Sequence, residues 1–302
     1  VIRLLGVELR RFTWRRSFRL FGLIALGFIA LVATIVAFDS KPGAEGLQAA
    51  AAQHQEMVAD CVRFTPADQV PGQFDSPEEF CEEVGTSPIE ELDPRFRLTS
   101  LTDIFGGTSI PLIILGLAFG ASFIGAEWHE GTVTPLLTWQ PRRILVFATK
   151  ALAILLAVIV SAMAIQAILG LALWLVATLR GTTEGADAAW LAETAGIALR
   201  GAIIAGLMSV IGFAIGSVAR NTTVAVIIGF VYFGVAEQVI RNLKPSWQPW
   251  FVGDNAAAFV IGDTQEMFGL FRSPAGALLV VTLYAAAALA LSAAWFQARD
   301  VN

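Results

Sequence analysis

Among the side chains that most often act as nucleophile, general base or metal ligand, this 302-residue chain has two histidines, His54 and His129, and two cysteines, Cys61 and Cys81. Neither histidine lies in an apolar stretch. Gly120-Ala121-Ser122 has the Gly-x-Ser form of an intramembrane serine protease, but such a nucleophile needs a base within hydrogen-bond reach. Ser122 therefore reads as part of a small-residue packing surface. The sequence has no His-Glu-x-x-His pair for zinc and no Gly-x-x-x-x-Gly-Lys-Ser/Thr loop for nucleotide phosphates. No catalytic residue, no metal site and no cofactor is expected on this chain. The cysteines share one acidic segment, where an oxidising compartment would join them in a disulfide. A loop of that size gains roughly 3 kcal/mol from closure.

Polar groups inside the apolar stretches are few. Glu237 precedes Arg241 by four residues, which predicts a local i, i+4 pair, although an acid within a membrane is by default a functional candidate. Arg200 is placed to snorkel toward headgroups, and Gln166 falls nearer mid-membrane. So few such groups argue against an ion-coupled transporter, which needs a site for its coupling ion. Trp247, Pro249, Trp250 and Phe251 precede short apolar pieces that Pro and Gly keep too short to span. They read as interfacial or re-entrant helices held by a tryptophan belt, or as the lining of an exit path for an amphipathic substrate. The candidate path residues are Gln166, Glu237, Trp247 and Trp250.

The elements that must position these groups are membrane helices. Hydrophobic residues make up 56% and charged residues 15%, with a mean hydropathy of +0.68; a soluble chain carries about 25% charged residues. Six apolar stretches, near 19–38, 106–125, 146–178, 197–219, 222–240 and 275–297, match the length of about 20 residues that a bilayer demands. The alternation of a membrane β-barrel is absent. The expected fold class is an all-α integral membrane protein with six transmembrane helices.

Residues 39–105 hold 14 of the 25 Asp and Glu but 4 of the 20 Lys and Arg, so the net charge of −5 divides into −10 there and +5 elsewhere. No basic surface remains for a nucleic acid. Within 39–105, helices are predicted over 48–62 and 77–84, the second capped by Asp75 or Ser76. Residues 1–18 read as an amphipathic interfacial helix, with Ile2, Leu5, Leu9 and Phe12 on one face, arginines mostly elsewhere and Trp14 as an anchor. The apolar run after it exceeds a signal-peptide core and reads as a retained anchor. Six arginines within 1–19 put the N-terminus in the cytoplasm. Alternation then places 39–105, 179–196 and 241–274 outside, with 126–145, the turn at Arg220 and the C-terminus inside. Val1 fits a GTG start and hence a bacterial plasma membrane.

Small residues recur at helix-packing spacing, Gly116 with Gly120 and Gly212 with Gly216. The most informative stretch follows the second helix, from Gly125 to Arg143. It combines Glu127, Trp128, a Gly131-Thr132 break, the pair Leu136-Leu137, and the ending Pro141-Arg142-Arg143. A cytoplasmic loop needs neither paired leucines nor tryptophans for solubility, so these side chains suggest docking.

The arrangement resembles the membrane subunit of type-two ATP-binding-cassette permeases, in which an acidic residue with Gly-Thr and Leu-Leu after the second helix belongs to the coupling helix. The resemblance runs along the whole chain, from the N-terminal helix and six spans to a re-entrant segment before the last span. Segment 39–105 is larger and more acidic than in smaller relatives. The resemblance implies a permease domain over 19–302 and coupling to an ATPase through Glu127, Trp128, Gly131, Thr132, Leu136, Leu137, Pro141, Arg142 and Arg143. It also implies a second permease subunit and two ATPase subunits that hold ATP and Mg, so this chain is not itself an enzyme. A hydrophobic or amphipathic compound is the expected cargo. The contrasting reading is a non-transporting sensor or assembly scaffold whose acidic external segment binds a partner. Cysteines introduced at Glu45 or Asp187 should react with an impermeant thiol reagent on intact cells, and one at Gln140 should not. The reverse pattern would overturn the orientation.

Overall fold

The computed structural model describes residues 2–14, 16–41, 44–66, 69–71, 74–84, 93–131, 142–262 and 272–298. Among these the chain is helical, with no strand beyond an isolated parallel bridge between Arg97 and Thr182. Helix α1 is Ile2–Trp14, α2 Arg16–Asp39, α3 Ala44–Phe64 and α4 Pro77–Glu83. Then follow α5 Leu101–His129, α6 Arg143–Arg180, α7 Ala188–Ala219 and α8 Thr222–Val231. A π-helical turn, Tyr232–Ala236, leads into α9 Glu237–Leu243, and α10 Val252–Ile261 precedes α11 Pro274–Ala298.

Six spans among the described residues are long and apolar enough to cross a bilayer: Phe18–Asp39, Leu98–Trp128, Arg143–Arg180, Ala188–Ala219, Thr222–Leu243 and Pro274–Ala298. Each contains one of the six apolar stretches of the sequence. The protein is a multi-pass, all-α membrane protein.

Backbone contacts divide the chain into two compact units. Residues 27–101 and 168–187 form one of them. There Ser76 caps α4 by accepting from the Glu79 N–H at 3.2 Å, while the Glu79 carboxylate accepts from the Asp75 N–H at 2.7 Å. Cys61 and Cys81 are joined in a disulfide, tying α3 to α4 with their Cα atoms 5.9 Å apart. Ser40 is buried; its hydroxyl donates to the Arg180 carbonyl at 2.6 Å and accepts from the Phe96 N–H at 2.9 Å. Arg95 donates from Nε to Asp93 Oδ1 at 3.0 Å and from Nη2 to Oδ2 at 2.6 Å, and keeps that carboxyl below the usual carboxylate range.

The other unit comprises 1–26, 102–167 and 188–302. Within it α5 packs closely on α7. A Cβ added to Gly116 would lie 2.3 Å from the Ala205 carbonyl oxygen, and one on Gly120 would lie 1.8 Å from that of Ser209. From the other side, a Cβ on Gly212 would lie 2.0 Å from the Leu117 oxygen and one on Gly216 2.8 Å from the Ala121 oxygen. The two small-residue pairs of the sequence therefore pack on each other's helix, backbone against backbone. In lipid, where apolar side chains gain little by leaving the solvent, such contacts carry association. Gly120→Ala should destabilise the protein by about 1–3 kcal/mol, the usual cost of overpacking. A lowered unfolding temperature of purified protein in detergent checks it, and an unchanged one would contradict the contact.

Candidate functional site

The sequence marks the end of α5 and the start of α6 as the place where chemistry-bearing and docking residues converge. Glu127 sits in the last turn of α5 and Lys150 two turns into α6. Both are buried in the structure, as is Glu8 of α1. The Lys150 ammonium donates to both Glu8 oxygens at 3.0 Å and to Glu127 Oε1 at 2.9 Å. Arg11, half exposed, approaches Glu8 at 3.5 Å, and the Phe123 ring lies 5.4 Å from the ammonium. Isolated, any of these charges would cost several kcal/mol to desolvate. Together the three side chains offset that cost through short charge-assisted hydrogen bonds.

Aromatic packing surrounds the cluster. Phe12 of α1 lies 5.9 Å from Phe119, 6.1 Å from Phe123 and 4.6 Å from Phe18. Phe147 meets Phe213 at 5.0 Å and Phe296 at 5.3 Å, and Trp128 meets Phe296 at 6.0 Å. Arg220 stacks over Trp128 at 4.3 Å. It adopts φ 53° in the two-residue turn from α7 to α8, with Asn221 capping α8 through the Val224 N–H at 3.1 Å. The contacts gather α1, the end of α5, the starts of α6 and α8, and the ends of α7 and α11 at one end of this unit.

Of the proposed coupling residues, Glu127 belongs to the ion cluster and Trp128 to its aromatic rim, while Gly131 turns the chain with φ 68°. Arg142 and Arg143 stand at the start of α6 and border an open groove. Thr132, Leu136, Leu137 and Pro141 lie outside the described residues.

The candidate path residues divide. Gln166 is buried among α5, α6 and α7, and among the described residues neither amide atom has a hydrogen-bond partner. Glu237 does not pair with Arg241, as the spacing had suggested. Its carboxylate instead accepts the Val252 N–H at 2.9 Å and the Gly253 N–H at 3.2 Å, capping α10. Arg241 pairs with Asp254. The i, i+4 rule addresses an isolated helix, and here the free N–H groups of α10 are a better match for the carboxylate. Trp247 and Trp250 are both exposed, with Lys244 lying 5.6 Å over Trp247 and Arg272 5.5 Å over Trp250. Arg200 packs against Gly262, where an added Cβ would stand 1.7 Å from Nη1.

Sequence reasoning missed Glu8 and Lys150. The available signal was an acid on the apolar side of α1, one residue from Leu9, and a lysine seven residues into a span. Neither acquires a meaning until the two helices meet. Lys150→Met strands two buried carboxylates and should cost about 3–5 kcal/mol. The triple variant Lys150→Met, Glu8→Gln, Glu127→Gln should recover most of it. Thermal unfolding, with trypsin access to Arg10 and Arg11 as a local reporter, decides this; equal stability in all three proteins would refute the coupling.

No protein-family model, curated protein or solved structure matches this chain.

Proposed function

We propose that the chain is the permease subunit of a type-two ATP-binding-cassette exporter. The observation that supports this most is the Glu8–Lys150–Glu127 cluster. It ties the N-terminal helix to both anchors of the loop, one on α5 and one on α6. A loop that receives force from another protein needs stiff anchors, because slack there absorbs the motion before it reaches the spans.

In this reading residues 132–141 meet the ATPase, with Leu136 and Leu137 as apolar contact and Trp128 and Gly131 shaping the approach. ATP and Mg reside on two separate ATPase subunits, and two permease subunits form the path. The loop and both termini face the cytoplasm of a bacterial cell, α1 lies in the interface, and the Cys61–Cys81 disulfide fits the oxidising side. The short helix α10 is the re-entrant segment, and the cargo is a hydrophobic or amphipathic compound.

The test is Leu136→Asp combined with Leu137→Asp, which should leave membrane insertion and thermal stability unchanged. Affinity purification should recover the wild type with a stoichiometric ATPase subunit, and the double variant with at least about tenfold less, one charged replacement in an apolar contact being worth that much or more. A wild type that purifies without any ATPase would favour the scaffold reading. A variant that retains both the ATPase and transport would remove the coupling assignment.

A further inference from the structure

The fifth span, Thr222–Leu243, has to serve two neighbours at once. On α8 the inward residues are Ala225 and Gly229, both buried, and a Cβ on Gly229 would lie 2.6 Å from the Leu117 side chain of α5. On α9 the inward residues are Glu237 and Arg241. Glu237 accepts the Val252 and Gly253 N–H groups and Arg241 pairs with Asp254, so both tie α9 to α10. A continuous α-helix turns about 100° per residue and cannot meet both contacts. Counted from Ala225, it would bring Ala236 inward and leave Glu237 about 120° round. Between the two contacts lies the π-helical turn Tyr232–Ala236, after which the Glu237 N–H donates to the Tyr232 carbonyl, five residues back. Such a turn takes in one extra residue and brings Glu237 back to within about 30° of Ala225. The lipid-facing side follows the same register, with Phe230, Val235 and Val239 all exposed.

We propose that this turn is a register switch. With α10 seated, the extra residue is held in the turn and Glu237 and Arg241 face inward. When α10 withdraws, the carboxylate loses its N–H partners, the span closes to a continuous α-helix, and α9 rotates by about 100°. The π-helix is the rarer geometry, so the contacts on α10 decide which register is kept. The coupling is reciprocal, as it must be for two contacts that share one equilibrium. Rotation of α9 breaks the Glu237 and Arg241 bonds together and so frees α10. Gly229 keeps its place on Leu117 throughout, so α8 stays with α5 while α9 turns. A side-chain tip about 5–6 Å from the axis of α9 travels about 8 Å in that rotation. The switch rests on helix geometry alone, and it holds or fails apart from the exporter reading.

The experiment measures distances between spin labels in the purified full-length protein in lipid nanodiscs. The two native cysteines are joined to each other, so introduced cysteines take the label. One label replaces Val239 on α9, paired in turn with Leu199 on α7 and Leu279 on α11, all three exposed. Glu237→Ala should shift at least one of the two distances by about 5 Å or more. Should that variant fold poorly, Val252→Pro removes one of the two N–H donors and should give the same shift in part of the molecules. Proline suits the first position of a helix, and Phe251 before it is already extended, so α10 itself is kept. Deleting Gly234 removes the extra residue and leaves Glu237 facing inward on a continuous α-helix. That variant should keep the original distances and unfold close to the wild-type temperature, and adding Glu237→Ala to it should shift neither distance. Deleting Ile227 instead puts Phe230 in the place of Gly229 against Leu117 and should lower the unfolding temperature by several degrees. The proposal is overturned if Glu237→Ala and Val252→Pro both keep the wild-type distances. It is equally overturned if Glu237→Ala shifts them as much after Gly234 is deleted, or if deleting Gly234 destabilises as much as deleting Ile227.

Discussion

The Lys150 ammonium holds together the end of the molecule on which any function of the loop must rest. It is reached by carboxylates from two other helices, Glu8 and Glu127, at 2.9 to 3.0 Å. An apolar trio of the same volume would bind the three helices about as strongly, since burying ions costs much of what their attraction returns. The difference is geometric. Apolar side chains slide over one another with little change in energy, whereas an ammonium with three short bonds tolerates little displacement before its bonds break. The cluster therefore fixes the register of α1 against α5 and α6 more sharply than it strengthens their association.

The opposite end of the same unit uses charge on a helix dipole. The short helix α10 is too brief to be stable on its own, and its terminal N–H and C=O groups would be costly to leave unmet at the membrane. Glu237 from α9 occupies its N-terminus and Arg200 from α7 stands at its C-terminus beside Gly262. Each charge has the sign that the macrodipole favours at that end. Asn255, fully buried, donates to the Phe251 carbonyl at 2.7 Å and the Pro249 carbonyl at 3.0 Å, so the turn before the helix is fastened as well. At Gly253 an added Cβ would stand 2.5 Å from the Glu237 carboxylate, which would have to shift to make room.

What was legible in the sequence follows from the range of each interaction. The spans were legible because hydropathy is summed over twenty neighbouring residues and needs no partner. The α4 cap was equally local, with Ser76 three residues before Glu79. The packing glycines were recognisable by spacing, yet that they face each other across α5 and α7 depends on a rotation that neither helix specifies alone. Glu237 shows the limit: its nearest cation in sequence, Arg241, was a reasonable partner, and the actual one is a helix terminus fifteen residues away. Glu8 and Lys150 were harder still, since their meeting requires α1 to fold back onto a span that begins after residue 142.

The two ends are connected through a close contact of one helix backbone on another. Carbonyl oxygens of α7 lie where the Cβ atoms of Gly116 and Gly120 would be, and carbonyls of α5 fill the same position at Gly212 and Gly216. No side chain intervenes there to change rotamer, so a displacement of α5 at Glu127 has little means of being absorbed before it reaches α7. Arg200, on α7, reaches Gly262 at the end of α10 with the tip of its side chain. Gln166 sits beside this route: a Cβ at Gly201 would lie 3.4 Å from its Nε2, and its amide has no partner among the described residues. An unmet buried amide costs about 1–3 kcal/mol, and another arrangement of α6 against α5 and α7 that gave it a partner would recover that energy. Rigid backbone contact joins α5 to α7, while the neighbouring α6 face retains a polar group not at its best in this packing. If spans move in this unit, the geometry makes α5 and α7 a single body and puts the more easily changed contact at α6.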